Sequence, residues 1–390
     1  MAMTDADDLA LSLVRGDALL RAQRAIGLVP RDGLGVGRRA LALALFTWAP
    51  IALFALWRNR AFPGSVEEPL LNHFGIHVRC LIAIPLLVIA EGVSHGVTTR
   101  LLPQFQHAGL VAESARERFL DVLRGIARLR DRTLPWVILL GVVLAVVAVA
   151  PSPAANHELA WAAEAAGGFG FGAFWFSWVL RPVFTVLMLA WLWRLILAFV
   201  LCLRLSRLDL ELVPTHADAA GGLGFLESLP FAFSPVVLAL STVLASRWAH
   251  DVVYHDVHVA SLRMPMIAFG VVVLLLFLAP LLPWQRPLAA AKRRAELEYA
   301  ALVAEHGRLV RRRWILREPV ADAALLSAPE IGPVADTLAL YESTRKMRTL
   351  PIGKRSLLAI LLPAALPMLF VIAIEVPVKE LLLGLLKTLA

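Results

Sequence analysis

Cysteine is nearly missing from this chain: 390 residues hold two, Cys80 and Cys202. Both fall inside apolar runs, which excludes a disulfide framework and a thiolate zinc cluster. Charge is scarce as well, at 17% of residues, against about 25% in a soluble domain. With 59% hydrophobic residues and a mean hydropathy of +0.72, a water-soluble globule is excluded. No Walker sequence with its Lys-Ser/Thr ending occurs. The alternating glycines of Gly33-Leu-Gly-Val-Gly37 and Gly168-Phe-Gly-Phe-Gly172 follow no strand pattern, so they do not read as nucleotide loops. Ser94-His95 lacks the strand-turn-helix setting of a serine hydrolase. The opening Met1–Asp8 is acidic, the reverse of a basic signal-peptide n-region, so the first apolar run is expected to stay as an uncleaved anchor.

What is present is a series of apolar runs. A crossing needs about 20 largely apolar residues, and about seven runs approach that length: Ala40 to Trp57, His77 to Val93, Leu134 to Ala150, Phe171 to Val200, Phe231 to Ala245, Pro265 to Leu282 and Leu357 to Ile374. Backbone groups in lipid must be satisfied within their own segment, so the runs predict an all-α, polytopic helical membrane protein. The stretch from Phe171 to Leu205 reads as one long helix, with Pro182 allowing a kink. Val376 to Ala390, with Lys379, Glu380 and Lys387 among leucines, reads as an amphipathic interfacial helix.

Cation placement gives an orientation. With the N-terminus cytoplasmic, 29 of the 38 Lys and Arg lie on the inner side, as the positive-inside rule requires. The net charge of +8 therefore reads as topology and as contact with anionic lipid head groups. Nucleic acid is not expected, because the tryptophans cluster at and within spans instead of alternating with basic residues. Four parts follow: a cytoplasmic amphipathic segment over 1–39, a bundle of about six spans over 40–284, a basic helical insert over 285–355, and a last span with its terminal helix over 356–390. Within the first part, Asp7 to Leu28 has the spacing of a helix lying on the membrane surface. Within the insert, helical patterns run from Ala289 to Leu316 and from Ile331 to Met347. A protein partner of this insert is one expectation; the oligomeric state is not readable.

The stretch Ala328-Pro-Glu-Ile-Gly-Pro-Val-Ala-Asp336, then Tyr341-Glu-Ser-Thr-Arg-Lys-Met-Arg348 and Pro351 ahead of a proline-interrupted span, resembles a group of bacterial multi-pass membrane proteins of no assigned function. Thr215-His-Ala-Asp-Ala-Ala-Gly-Gly-Leu223 is similar to the same group. The resemblance implies a bacterial inner-membrane location and brings no activity, cofactor or catalytic residue. The use of 33 Arg against 5 Lys fits a GC-rich bacterial genome.

Three sets of residues are candidates for function. Charges inside spans are costly and commonly face the bundle interior; Arg79, Arg181 and Glu375 fall in the outer half, and Glu91 with Arg194 deeper, so two opposite-charge groups would join helices two, four and seven. His216-x-Asp218 followed by Gly221 and Gly222 could present an imidazole and a carboxylate to a ligand, or could be a polar turn in which Asp218 caps the next helix. In the outer loop, His250, Asp251, His255 and His258 would share a helical face as ligands for a divalent metal, or serve as proton sensors; no cofactor is otherwise required. Three functions compete. The first is movement of an ion, proton or small solute along the charged residues. The second is a membrane scaffold or signalling protein acting through its basic helices. The third is an embedded enzyme using His216 and Asp218, although an enzyme is the less favoured class.

Overall fold

The computed structural model describes residues 11–30, 33–64, 69–148, 161–162, 170–319 and 332–375, and among them there is no strand. In chain order the helices are α1 (Ala18–Ala25), α2 (Val36–Trp57), α3 (Phe74–His107), α4 (Arg116–Asp131), α5 (Leu134–Ala148) and α6 (Phe171–Leu205). They continue with α7 (Ser234–Tyr254), α8 (Val259–Leu278), α9 (Gln285–Val310), α10 (Gly332–Lys346) and α11 (Lys354–Glu375). Six helical runs are long and apolar enough to cross a membrane: α2, α3, α6, a run ending in α7, a run beginning with α8, and α11. Half or less of each apolar window, 28% to 50%, is buried against protein. The remaining apolar surface needs a non-aqueous solvent, and lipid supplies one. The fifteen described residues of α5 are equally apolar but shorter than a crossing. The expected C-terminal helix over 376–390 and most of the loop after α5 lie outside the described residues.

One end of the bundle holds residues 11–30, α4, α9 and α10, and is called the N-terminal end below. At the far end, the stretch after α2 meets the start of α3, where the Leu70 amide donates to the Arg60 carbonyl. Aromatic and apolar side chains fill the core between these ends, with Trp191, Trp284, Phe105 and Phe233 fully buried.

The sequence Phe171 to Leu205 is one helical run, as its pattern predicts. Its proline is handled in a specific way. A proline inside a helix removes one N–H and crowds the carbonyl four residues back. In α6 the turn Phe176–Leu180, just ahead of Pro182, is widened to a π-turn. In α3 the turn Arg79–Ala83, just ahead of Pro85, is widened in the same way. A π-turn takes up this mismatch without ending the helix.

α11 uses a different device. Pro363 cannot donate to the Ala359 carbonyl, and in lipid an unsatisfied carbonyl is costly. Ser234, the first residue of α7, donates its hydroxyl to that carbonyl at 2.6 Å. One helical turn pair further along, Ser241 donates to the Ala364 carbonyl at 2.6 Å. The Ser234 hydroxyl thus serves the broken backbone of α11, and the two hydroxyls together fix the register between α7 and α11.

This gives a test. Ser234→Ala should lower stability in detergent by about 1–2 kcal/mol, because it orphans the Ala359 carbonyl. In Pro363→Ala, whose restored N–H can serve that carbonyl, the same serine substitution should cost less than half as much. Thermal unfolding of the four proteins of the cycle measures the difference; equal costs in both backgrounds would show that the serine does not serve the proline.

Candidate functional site

Residues 11–30, whose spacing suggests a surface helix, pack one face of α1 and the stretch before it against the bundle. They enter the N-terminal end of the bundle. Leu11, Leu13, Val14 and Leu20 are buried, and so are Ser12, Asp17 and Gln23. Helix α1 is only eight residues long, and its N-cap is Asp17, whose Oδ1 accepts from the Leu20 amide at 2.7 Å. A short helix of this length is marginal alone, so tertiary contacts must hold it. Two sets do. Arg130 of α4 donates Nη1 to the Ser12 carbonyl, with Asp131 on its other edge at 2.7 Å. Gly16 lies against the Arg130 guanidinium with φ +100, where a Cβ would come within 2.8 Å of Nη2.

The second set is the polar centre of the molecule. Asp17 turns its Oδ2 to Arg194 of α6, which donates Nη2 at 2.6 Å and Nε at 3.2 Å. The same Nη2 reaches Glu91 Oε1 of α3 at 2.8 Å. The other oxygen of Glu91 faces Arg39 of α2, whose Nη1 lies at 2.5 Å. Arg39 also donates Nε to Gln23 Oε1 of α1 at 2.7 Å and Nη1 to the Leu34 carbonyl at 3.3 Å. Asp17, Arg39, Glu91 and Arg194 are each 0% exposed. Two cations and two anions leave the group without net charge, and the face of Trp191 covers the Arg194 guanidinium at 4.8 Å. Trp191 is itself tied to α3 through the Leu87 carbonyl at 2.9 Å.

The expected contact between Glu91 and Arg194 is therefore present. Asp17, Gln23 and Arg39 were not singled out by the sequence reading. Their signal was present but weak: Asp17 stands at a helix N-cap position, and Arg39 is the last cation before an apolar run.

The outer-half group separates. Arg79 and Arg181 each sit at one edge of a π-turn, half-buried. Glu375 ends α11, and both its oxygens are taken elsewhere: Oε1 lies 3.0 Å from His258 Nδ1, and Oε2 accepts from the Val259 amide at 2.7 Å. A carboxylate at the first amides of α8 is favourably placed against the helix dipole. Glu375 thus caps α8 and does not close a charged group with Arg79 and Arg181.

The metal expectation for His250, Asp251, His255 and His258 fails on geometry. Among the described residues no three of His, Cys, Asp and Glu are placed to hold a metal ion. His250 points its Nδ1 at the Asn72 carbonyl at 3.1 Å and stacks on His73 at 5.8 Å, whereas His258 is with Glu375. The helix ends at Tyr254, so the shared face needed for the spacing stops before His255 and His258.

The His216 and Asp218 segment is a polar turn. Asp218 accepts from the amides of Ala220 at 2.8 Å, Gly222 at 3.2 Å and Gly224 at 2.7 Å, and lies 2.9 Å from His216 Nδ1. Gly221 and Gly222 take φ +66 and +92, the left-handed region that glycine occupies at little cost. Burial acts to raise the Asp218 carboxyl. The Ala220, Gly224 and Gly222 amides and His216 outweigh burial and hold it below the ordinary carboxylate value. Arg348 then binds the turn to the insert: its amide donates to the Ala219 carbonyl at 2.7 Å, and its guanidinium reaches the Asp218 carbonyl at 2.9 Å and Glu227 at 2.7 Å. With both carboxylate oxygens of Asp218 hydrogen-bonded within the turn, this segment orders the chain between α6 and α7.

Comparison with known proteins adds no relative: no family model, curated protein or solved structure matches the chain.

Two tests follow. Glu91→Gln leaves two arginines around a neutral amide and should cost about 3–5 kcal/mol, as removal of one buried partner does; adding Arg39→Met to it should recover part of the loss. A cost under 1 kcal/mol for Glu91→Gln, read by thermal or denaturant unfolding in detergent, would contradict a dry network. For the turn, the Asp218 pKa is lowered on folding, so its contribution is complete above the unfolded value of 3.8 and fades as pH falls through the folded value. Asp218→Ala should cost about 1–3 kcal/mol at neutral pH and flatten that acid slope; an unchanged slope would refute the assignment.

Proposed function

We propose that this chain is a multi-pass protein of a bacterial cytoplasmic membrane with its N-terminus and basic helices inside, and that it acts as a signalling or scaffolding element. In this reading, residues 11–30 couple the cytoplasmic face to the spans. The observation that carries it is the buried network of Asp17, Arg194, Glu91 and Arg39. It joins a segment outside the spans to α2, α3 and α6 in a charge-balanced group with no exposed member. Such a group has two discrete states, joined or parted, because a half-made buried ion network is strongly disfavoured. It can thus report an event at the N-terminal end to three spans at once.

The insert supplies a face for a partner. Helix α9 has 26 residues, about 39 Å at 1.5 Å per residue, and continues from α8 through a short 3-10 segment. It packs on α10, and Lys292 of α9 holds the Arg345 and Met347 carbonyls at 2.9 and 2.8 Å. Leu297 on α9 is 75% exposed, and Trp314 and Ile315 just past its end are 68% and 71% exposed. Apolar groups this open beside arginines suit a protein surface.

Movement of an ion or proton is the second reading, favoured by one observation. Arg39 Nη2, Arg194 Nη1 and Ser94 Oγ are buried with no hydrogen-bond partner among the described residues. These groups could take water or an anion if the N-terminal segment withdrew.

A photo-crosslinking residue in place of Leu297 decides between these. With the full chain in its membrane, a discrete protein adduct is expected, and Asp17→Asn should change its yield severalfold. Lipid adducts alone, or the same yield in both, would remove the signalling reading. Ion or proton flux in proteoliposomes of the intact chain, lost in Arg194→Gln, would put transport in its place.

A further inference from the structure

At the N-terminal end, a cavity of about 650 Å³ opens between the last turns of α3, the 3-10 segment Gly224–Phe233 that leads into α7, and the first turn of α11. That volume is within the range of small-molecule sites. Its rim carries Arg100 from α3 and Arg355 from α11, both exposed and neither with a hydrogen-bond or ion-pair partner among the described residues. The one carboxylate in the wall, Glu227, is already held by Arg348 at 2.7 Å. The two arginines are therefore uncompensated across a shared cavity. Gln104 and Ser228 add polar groups on the same rim, while Val97 and Phe231 form an apolar flank, Phe231 with 40% of its surface open.

Three apolar runs end at this level, those of α3, α7 and α11. The site therefore sits where hydrocarbon gives way to head groups. An amphipathic ligand would meet a matching order of surfaces: apolar flank toward the spans, cations at the rim. Guanidinium groups bind phosphate oxygens in bidentate geometry, and basic pockets between spans suit anionic head groups.

We propose that this cavity binds the phosphate of an anionic glycerophospholipid through Arg100 and Arg355, with one acyl chain along Val97 and Phe231. The inference requires a membrane location and does not depend on whether the N-terminal segment signals. A bound lipid would tie α3, the entry to α7 and α11 together from outside the protein, at the end opposite the Glu375 cap on α8.

The test uses the full chain in neutral detergent, with dioleoyl phosphatidylglycerol, dioleoyl phosphatidylcholine or inorganic phosphate added, read by native mass spectrometry and by melting temperature. Phosphatidylglycerol should bind and raise the melting temperature, and phosphatidylcholine should bind at least tenfold more weakly. Arg100→Gln with Arg355→Gln should weaken phosphatidylglycerol binding roughly thirtyfold, at about tenfold or less for each arginine near a head group. The lipid-free melting temperature of this variant should stay unchanged, since neither side chain is partnered. Arg100→Lys with Arg355→Lys keeps the charge but loses the bidentate fork and should bind between the unaltered chain and the double Gln variant, whereas Arg293→Gln, on exposed α9, should have no effect. Equal binding of the two lipids, or full binding by the double Gln variant, would overturn the site. A thermal shift from inorganic phosphate matching that from phosphatidylglycerol would overturn the lipid and assign a free anion.

Discussion

The guanidinium of Arg194 sits between two carboxylates in a place that water does not reach, and the arrangement of the N-terminal end depends on it. A lone arginine at this depth in α6 would carry a large desolvation cost. Glu91 alone would answer its charge but leave Arg39 on the other side without a counter-charge. Asp17 restores balance, and because Asp17 belongs to a segment outside the apolar runs, balance is reached only when that segment is inside the bundle. Electrostatics in a low-dielectric interior thus determines the path of residues 11–30 more firmly than their own helical propensity, which is confined to the eight residues of α1.

The same logic separates the two ends of the molecule. At the N-terminal end, charge is buried and answered by charge, and helices from different parts of the chain are held together by it. At the far end, Glu375 and His258 stay in contact with solvent, His258 with 83% of its side chain open, and the contacts there cap helices and tie loops. Several buried hydroxyls elsewhere are returned to carbonyls of the preceding turn, as Thr98 is to Ser94 at 2.8 Å. The ion pairs with fully buried partners that join Asp17, Arg39, Glu91 and Arg194 lie where three spans and the N-terminal segment converge.

Much of this architecture is legible in the residue order. Apolar runs are a sum over many residues, so the α2, α3, α6 and α11 runs stand out, and the continuity of Phe171 to Leu205 follows from length alone. Glu91 and Arg194 are legible for the opposite reason, since a charge within such a run is conspicuous. Asp17 and Arg39 are not, because each lies where a charge is ordinary, before a span or in a polar leader; only the folded path of residues 11–30 makes them interior. The alternating leucines and arginines of that leader fit a surface helix as well as a buried one. The outer histidines misled through spacing: three and four residues apart is a shared face only while the helix persists, and it stops at Tyr254. His216 and Asp218 were legible as a turn, but their satisfaction by Arg348, more than a hundred residues on, is a long-range contact that local pattern does not contain.

The two widened turns have an effect on angular phase. Each takes one more residue into a helix than the regular α geometry would, and one residue corresponds to about 100° of rotation around the axis. Glu91 and Arg194 both lie beyond those turns in their helices, so the azimuth at which each meets the interior is decoupled from the azimuth of the far end that precedes it. The far ends of α3 and α6 can pack their aromatic faces by one set of constraints while the charged residues keep another. Deleting a single residue within Arg79–Ala83 or Phe176–Leu180 would force one helix to choose between the two.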